Sequence, residues 1–352
     1  MSLLYEKAIR PILFSQDPER AHHLAIDLLQ FFCRIPFLPK ILENCNLIQN
    51  DRPLKLFGLT FPNPVGLAAG MDKNAQFTQA MAALGFGFTE IGTVTHKAQP
   101  GNSKPRLFRY PKQNALINRM GFNNEGAEAI RNRLQEIPHK NRRIPIGINI
   151  GKSKVVPIKN AVDDYLGSFR LLADQADYFT INVSSPNTPS LRELQEKDRL
   201  EELLQNIQKA NQERAQKLGC KEIPILLKIA PDLTYRQIDE IIEIVLNEKI
   251  SGLIATNTTV ERPESLKEAE MGGLSGSPLH QKSLDIVKYI ARSTNRKLPI
   301  IGTGGIDDAT TAARFLDVGA SLVQLYSGLV YRGPFVAKII AKGLKNRGKK
   351  AP

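Results

Sequence analysis

The chain has 352 residues, 42% hydrophobic and 24% charged, a globular balance that excludes a disordered or fibrous protein. This length exceeds one ordinary domain, yet a single large α/β barrel with a small extension accounts for all of it. A formal net charge of +13 favours an anionic partner, whether nucleic acid, a lipid surface or an acidic small molecule, without choosing among them.

Residues 1 to 45 predict two short helices split at Ser15-Gln16-Asp17-Pro18, with Pro18 suited to the opening helical position. Leu3, Leu4, Ile9, Ile12, Leu13 and Phe14 in the first, and Leu24, Leu28, Leu29, Phe31 and Phe32 in the second, exceed what one edge of a barrel need cover. Two readings compete: a hairpin packed wholly on the protein, or an amphipathic element whose outer face enters a lipid interface. Lys7, Arg10, Asp17, Glu19, Arg20 and Asp27 interrupt the apolar start, so no spanning helix is expected. No export signal is expected either, because Glu6-Lys7 breaks the run early and no small-residue cleavage site follows. Cys33, Cys45 and Cys220 form no C-x-x-C pair, which suggests reduced thiols and neither a disulfide framework nor a metal site.

From about residue 60, short apolar or β-branched runs alternate with stretches of helical period. Strands are predicted at 64–69, 88–93, 145–149, 178–183, 224–229, 253–256, 299–302 and 322–326. Helices are predicted at 74–84, 123–137, 160–175, 198–218, 234–248, 279–293, 308–318 and 334–345. Eight strand-then-helix units match a closed (β/α)8 TIM barrel with an N-terminal helical hairpin extension better than an open sheet. Long loops at 95–122 and 258–278 belong to the catalytic face of such a barrel. The basic tail, Lys342, Lys345, Arg347, Lys349 and Lys350, reads as a solvated helix end without a specific role.

In a parallel barrel the C-terminal strand ends face the active-site mouth, and here they are polar. They read Ala69-Gly70-Met71-Asp72-Lys73, Gly92-Thr93, Asn149-Ile150-Gly151, Asn182-Val183-Ser184-Ser185-Pro186-Asn187, Lys228, Thr256-Asn257-Thr258, Thr303-Gly304-Gly305 and Tyr326-Ser327-Gly328. Gly304-Gly305 and Ser327-Gly328 follow the seventh and eighth strands, where barrels bind phosphate. Lys228 interrupts an apolar run and needs a partner; a fixed cation at the mouth would stabilise negative charge on a bound group. Ser185 lies in a Pro- and Asn-rich turn, and no histidine or cysteine ends a strand to serve as a base. His96, His139 and His280 fall in loops or beside helix starts, where solvation is the default.

Four ordered segments, Gly66-Leu67-Ala68-Ala69-Gly70, Asn118-Arg119-Met120-Gly121-Phe122-Asn123-Asn124, Ile181-Asn182-Val183-Ser184-Ser185-Pro186-Asn187-Thr188 and Ala255-Thr256-Asn257-Thr258-Thr259, carry a resemblance. With Asp17-Pro18-Glu19-Arg20-Ala21-His22 near the start, the chain resembles quinone-dependent dihydroorotate dehydrogenases over nearly its whole length. The resemblance implies FMN held by Ala69, Gly70, Met71, Asp72, Lys73, Thr93, Asn149, Asn182, Lys228, Thr256, Gly276, Gly305, Tyr326 and Ser327. It implies orotate contacts from Lys73, Asn118, Arg119, Met120, Gly121, Phe122, Asn182, Asn187, Asn257 and Thr258. Ser185 would be the general base for the C5 proton of dihydroorotate, while hydride passes from C6 to the flavin. Residues 1–45 would dock to the membrane and form a quinone tunnel with His22 and Arg109 along it, and 46–352 would be the catalytic domain. A peripheral monomer on the cytoplasmic face of the cell membrane, binding no nucleic acid, is expected. Soluble members of the family differ in carrying cysteine as the base, whereas a tRNA-modifying FMN barrel or a non-catalytic phosphate-binding barrel are the other readings. The chain departs from the family pattern at Met71, Thr303 and His96-Lys97, none of which is a reacting group.

Overall fold

The computed structural model describes residues 2–51 and 53–348, so Lys349 and Lys350 of the basic tail lie outside the described residues. Its strands in chain order are β1 Leu54–Leu56, β2 Leu59–Phe61, β3 Val65–Leu67, β4 Phe88–Val94, β5 Leu107–Tyr110, β6 Ala115–Asn118 and β7 Ile146–Ile150. They continue with β8 Tyr178–Asn182, β9 Ile225–Ile229, β10 Gly252–Ala255, β11 Gly273–Gly276, β12 Ile300–Thr303 and β13 Leu322–Leu325. The eight predicted strands close into one parallel barrel in the order β3-β4-β7-β8-β9-β10-β12-β13, with β13 pairing back onto β3. Runs such as Ile146–Ile150 and Ile225–Ile229 are buried at every position, because helices cover the outside and side chains fill the inside.

Inward-facing residues alternate along each strand and stack in layers. At the N-terminal end Phe61, Phe88, Tyr178, Leu226, Ile254, Ile301 and Leu322 form an apolar plug. The β1–β2 hairpin caps it with Leu54, Leu56, Phe57 and Leu59, turning through Phe57 (φ 55°) and Gly58 (φ 73°). Phe61 meets Phe88 edge to face at 5.4 Å between centroids, and each buried aromatic or aliphatic side chain stabilises by about 1.5–3 kcal/mol. Gly66 and Gly147 make room for this layer: a Cβ would lie 2.3 Å from the Phe88 ring at the first and 2.0 Å from Tyr178 at the second.

Helices follow the strands nearly as predicted, at Ala127–Gln135, Ala161–Leu172, Lys197–Leu218, Tyr235–Asn247, His280–Ser293, Ala309–Val318 and Val336–Gly348. The expected 74–84 helix is the exception, since only Ala80–Ala83 is helical. The buried Asp72 carboxylate accepts from the Gln76 N–H (2.8 Å), the Phe77 N–H (3.2 Å) and the Thr78 hydroxyl (2.9 Å), which holds this stretch as turns. Likewise the helix expected from 123 starts at Ala127, because the Asn124 side chain binds the Gly126 N–H (2.9 Å) and Gly126 has φ 86°.

The two long loops are also not plain loops. They contribute β5, β6 and β11 to a three-stranded antiparallel sheet over the barrel mouth, with Ile117 facing Phe108 on one side and Leu274 on the other. The N-terminal region holds three helical pieces where two were expected. An α–π–α run (Ser2–Leu4, Tyr5–Ile9, Arg10–Phe14) and Pro18–Arg34 are followed by Leu38–Asn46. Asp17 caps the second, accepting from the Glu19 and Arg20 N–H groups at 3.0 Å each, and Pro18 opens it. The third is anchored by Asn46, which donates to the Ala83 carbonyl (2.8 Å) and accepts from Lys338 (2.8 Å).

Candidate active site

A cavity of about 140 Å³ opens at the C-terminal end of the barrel. Of the expected residues, Ala69, Gly70, Lys73, Thr93, Asn182, Lys228, Thr256, Gly276, Gly305, Tyr326 and Ser327 line it, as do Asn118, Met120, Gly121, Phe122, Ser185, Asn187, Asn257 and Thr258. Two lysines and no carboxylate are among its walls, so the space favours anions.

Four expected residues lie elsewhere. Asn149 sits below the cavity floor, accepting from the Thr93 hydroxyl at 2.6 Å. Asp72 is buried as the turn-forming carboxylate described above, and Met71 borders a different cavity. Arg119 points away from the mouth, donating to the Pro105 carbonyl (3.1 Å) and lying 4.8 Å from the Phe108 ring centroid, because residues on β6 and its extension alternate between faces.

Beneath the cavity runs a polar layer that sequence reasoning missed. Its centre is Glu90, fully buried on β4, which accepts from Asn149 (2.8 Å), Thr180 (3.0 Å), Gln324 (3.1 Å) and the Tyr178 hydroxyl (3.3 Å). Since a carboxylate only accepts, it fixes the Asn149 amide with its NH2 toward Glu90 and its oxygen upward. That oxygen receives Thr93 and Asn182 (3.2 Å), and the Asn182 oxygen receives Ser184 (3.1 Å) and Asn257 (3.3 Å). One acid thus sets the donor and acceptor pattern from barrel interior to mouth. The signal was present in Phe88-Thr89-Glu90-Ile91, an acidic residue in an otherwise buried run, as unusual as Lys228.

Lys228 is only 6% exposed, and among the described residues its ammonium makes no hydrogen bond. Burial pushes its ammonium below the usual lysine range, with Glu90 opposing that shift. Lys73 donates to Asn123 at 2.6 Å and is pushed down to about 7 by burial and by Arg106, against the pull of Glu19. Burial likewise raises the Tyr326 hydroxyl to about 12.

Ser185 is 6% exposed, and its Oγ accepts from the Asn187 N–H at 3.3 Å. Asn187 donates to the Asn118 carbonyl (3.0 Å) and side-chain oxygen (3.3 Å), joining the loop after β8 to β6. Arg192 staples the same loop to the one after β10, donating to the Ser184 carbonyl (3.1 Å) and the Thr258 carbonyl (3.2 Å) while paired with Asp232 at 2.9 Å. His280, expected to be solvated, is instead 8% exposed and faces the Gly304 carbonyl at 3.2 Å.

A second, apolar cavity of about 280 Å³ lies between the N-terminal helices and the barrel. Leu13, Phe14, Ile26, Leu29, Met71 and Leu329 are among its walls, and His22 and Arg109 are its polar residues together with Tyr5 and Tyr326. Tyr326 borders both cavities. His22 is held down to about 3 by burial and by Lys73 and His23, so its ring is neutral. Arg109 donates to the Leu13 carbonyl at 2.9 Å and to the Gln16 carbonyl, and lies 4.6 Å from the Phe14 ring centroid.

The family model for dihydroorotate dehydrogenase matches residues 53–347. A dihydroorotate dehydrogenase (quinone) of Christiangramia forsetii is 50% identical over 98% of this chain and 100% of its own. Another from Neisseria meningitidis serogroup C is 45% identical over 97% and 98% respectively. Among solved structures, a ligand-free dihydroorotate dehydrogenase from Eimeria tenella superposes with a TM-score of 0.85 at 38% identity, covering 95% of this chain and 96% of that one. The same enzyme in complex with ferulenol gives 0.84 at 37% identity, over 93% and 92%. Barrel, mouth and full-length relatives agree, and the chain belongs to the dihydroorotate dehydrogenase family.

Proposed function

We propose that this protein oxidises dihydroorotate to orotate and delivers the electrons to a membrane quinone, in pyrimidine biosynthesis. The observation that carries this reading is the pairing of two cavities of opposite character across Tyr326: one cationic and amide-lined, the other apolar. The family is flavin-dependent, and FMN is the flavin proposed here. A bound flavin would supply the hydride acceptor for C6.

The residues fit such a group. Lys228 presents a buried ammonium without a partner, and Gly276, Gly304, Gly305 and Ser327 line the mouth on the side where barrels bind phosphate. Asn149 is a contributor from below, through Thr93 and Asn182. On the substrate side, Lys73 suits a carboxylate, and Asn118, Asn182, Asn187 and Asn257 suit a planar imide whose edge both donates and accepts. Ser185 takes the C5 proton while its own hydroxyl proton passes along a hydrogen-bonded path to solvent. Serine is a weak base in water, so its near-complete burial and the Arg192 and Asn187 bonds that fix its loop must supply by geometry what its pKa does not.

Residues 1–45 form the membrane-docking and quinone-tunnel segment and 46–352 the catalytic domain. Nine of the sixteen exposed large hydrophobic residues among the described residues fall at Leu3, Leu4, Ile9, Ile12, Leu24, Leu28, Phe31, Phe37 and Ile41, which supports lipid contact. No described helix is long and apolar enough to cross a membrane. We place the protein as a peripheral monomer on the cytoplasmic face, with His22 and Arg109 along the quinone path.

Anaerobic addition of dihydroorotate to the purified yellow protein tests the reading. Rapid loss of visible flavin absorbance, followed by its return on adding a quinone, is the expected result. A yellow protein that dihydroorotate leaves unchanged would overturn the substrate, and a colourless folded one would overturn the flavin.

A further inference from the structure

Between the two cavities lies a buried ion pair that neither reacting site uses. Glu19, at the start of the Pro18–Arg34 helix, is 4% exposed, and Arg106, on the segment leading into β5, is 8% exposed. Arg106 grips the carboxylate as a fork, with Nη2 2.8 Å from Oε1 and Nε 3.2 Å from both oxygens. Its remaining nitrogen, Nη1, donates to the Pro100 carbonyl (2.6 Å) and the Asn102 carbonyl (2.8 Å). The guanidinium therefore fixes the 100–102 turn from one side.

The turn in turn holds the substrate loops. The Asn102 N–H donates to the Met120 carbonyl (2.9 Å), and its side-chain amide donates to the Arg119 carbonyl (3.0 Å) and the Asn187 carbonyl (3.1 Å). The Arg119 N–H closes the circuit on the Arg106 carbonyl at 2.9 Å. Contact this close needs glycine on both sides. A Cβ on Gly101 (φ 80°) would lie 2.3 Å from the Met120 oxygen and 2.8 Å from Arg106 Nη1, and one on Gly121 (φ 71°) would lie 2.7 Å from the Asn102 side chain. An unbroken series of hydrogen bonds thus runs from the N-terminal helix to the Asn118–Phe122 wall and to the Ser185 loop.

We propose that Glu19 and Arg106 are a positioning pair, through which the N-terminal helix sets the geometry of the substrate loops rather than that of the quinone tunnel. This rests on reading the barrel mouth as the orotate site. Neither residue lines either cavity, yet Arg106 reaches Met120 and Asn187 of the mouth through Asn102 alone, and Glu19 reaches them through Arg106. Damage at Glu19, within the segment proposed to dock to the membrane, therefore falls on the substrate half of the reaction.

The test uses the flavin-loaded full chain. Orotate is titrated against the visible flavin absorbance, and the KM for a short-chain ubiquinone analogue is measured in parallel, for wild type, Glu19→Gln and Asn102→Ala. Asn102→Ala removes the side-chain links to Arg119 and Asn187 on the far side of an intact ion pair, so it decides the matter should Glu19→Gln fail to fold. In both variants the orotate Kd is expected to rise about tenfold, the effect of losing one to two charge-assisted or buried hydrogen bonds, while the quinone KM stays within about twofold. An orotate Kd within twofold of wild type in both would overturn the pairing role, and so would a quinone KM that rises as much as the orotate Kd. Failure of wild type itself to bind orotate would sink this proposal together with the reading it rests on.

Discussion

The barrel mouth and the N-terminal helices handle polar atoms in opposite ways. In the mouth, amides and hydroxyls satisfy one another in a chain ordered by Glu90, leaving Lys228 free and aimed at whatever enters. Around the second cavity the walls are apolar, the one histidine is held neutral, and Arg109 spends its donors on backbone carbonyls of the first helix. The first region favours charged, hydrogen-bonding ligands and the second uncharged, apolar ones, which is the division the proposed function uses. Tyr326 borders both, and the Glu19–Arg106 pair links the helices to the loops of the mouth.

The sharpest way to break that division is Ser185→Ala. Bleaching of the flavin by dihydroorotate should slow by roughly 10²–10⁴-fold with the yellow colour kept, the usual worth of a general base. Reoxidation by quinone should be untouched, and stopped-flow absorbance reads both steps. Loss of reoxidation as well would show that the two regions do not work separately.

Next in size is the apolar face. Leu24, Leu28 and Phe31 follow one stripe of the Pro18–Arg34 helix and are 47%, 59% and 64% exposed. Replacing Leu28 and Phe31 by glutamate should weaken binding to anionic lipid vesicles by about a hundredfold or more, given about 1.5–3 kcal/mol per large apolar side chain. Sedimentation with vesicles measures this, and dihydroorotate bleaching in the absence of lipid should not change.

The pH dependence of orotate binding sharpens the mouth's side of the comparison. In the free protein Lys73 is held near 7, well below lysine's usual range, by burial and the facing Arg106. Below that pH the ammonium is already present, so the orotate Kd should be flat between pH 5.5 and 6.5. Above it, binding the carboxylate must take up a proton, and the Kd should rise by about tenfold from pH 7.5 to 8.5. Lys73→Met should bind weakly at every pH and lose the slope; an unchanged slope would exclude Lys73 as its origin.

The smallest effect is expected at Met71, which borders the tunnel and not the mouth. Met71→Leu keeps volume and apolarity, so dihydroorotate bleaching should be unaltered and quinone KM should move by no more than about threefold.

How much of this was legible beforehand follows the physics of each region. Parallel strands buried on both faces write themselves as apolar runs, so all eight were found within a residue or two, and their polar ends pointed to the mouth. Where a side chain captures the backbone, periodicity misleads: Asp72 turned an expected helix into loops, and Asn124 delayed another. In the sheet of β5, β6 and β11, the β5–β6 hairpin is local but short and irregular in pattern, while β11 pairs with β6 from far along the chain (159 residues separate the bonded Ser275 and Leu116), a contact no local window contains. Glu90 was overlooked although Lys228 was flagged on the same grounds, and Arg119 was taken with its neighbours although alternation sends it outward. The apolar cavity itself left no mark in the sequence, since Leu13, Ile26 and Leu29 look like any packed helix until their shared cavity is seen.

The β1–β2 hairpin has a consequence for the order in which the barrel is filled. It stoppers the N-terminal end behind a full apolar layer, so the interior opens toward the C-terminal strand ends. Lys228 and the Asn149 layer lie deepest, while Asn118, Asn187 and Ser185 stand at the rim. A molecule held by the deep residues must load before one held at the rim and can leave only after it. With the flavin held as proposed, its retention is tied to occupancy of the rim above it, a first-in, last-out order imposed by two short strands at the opposite end of the molecule.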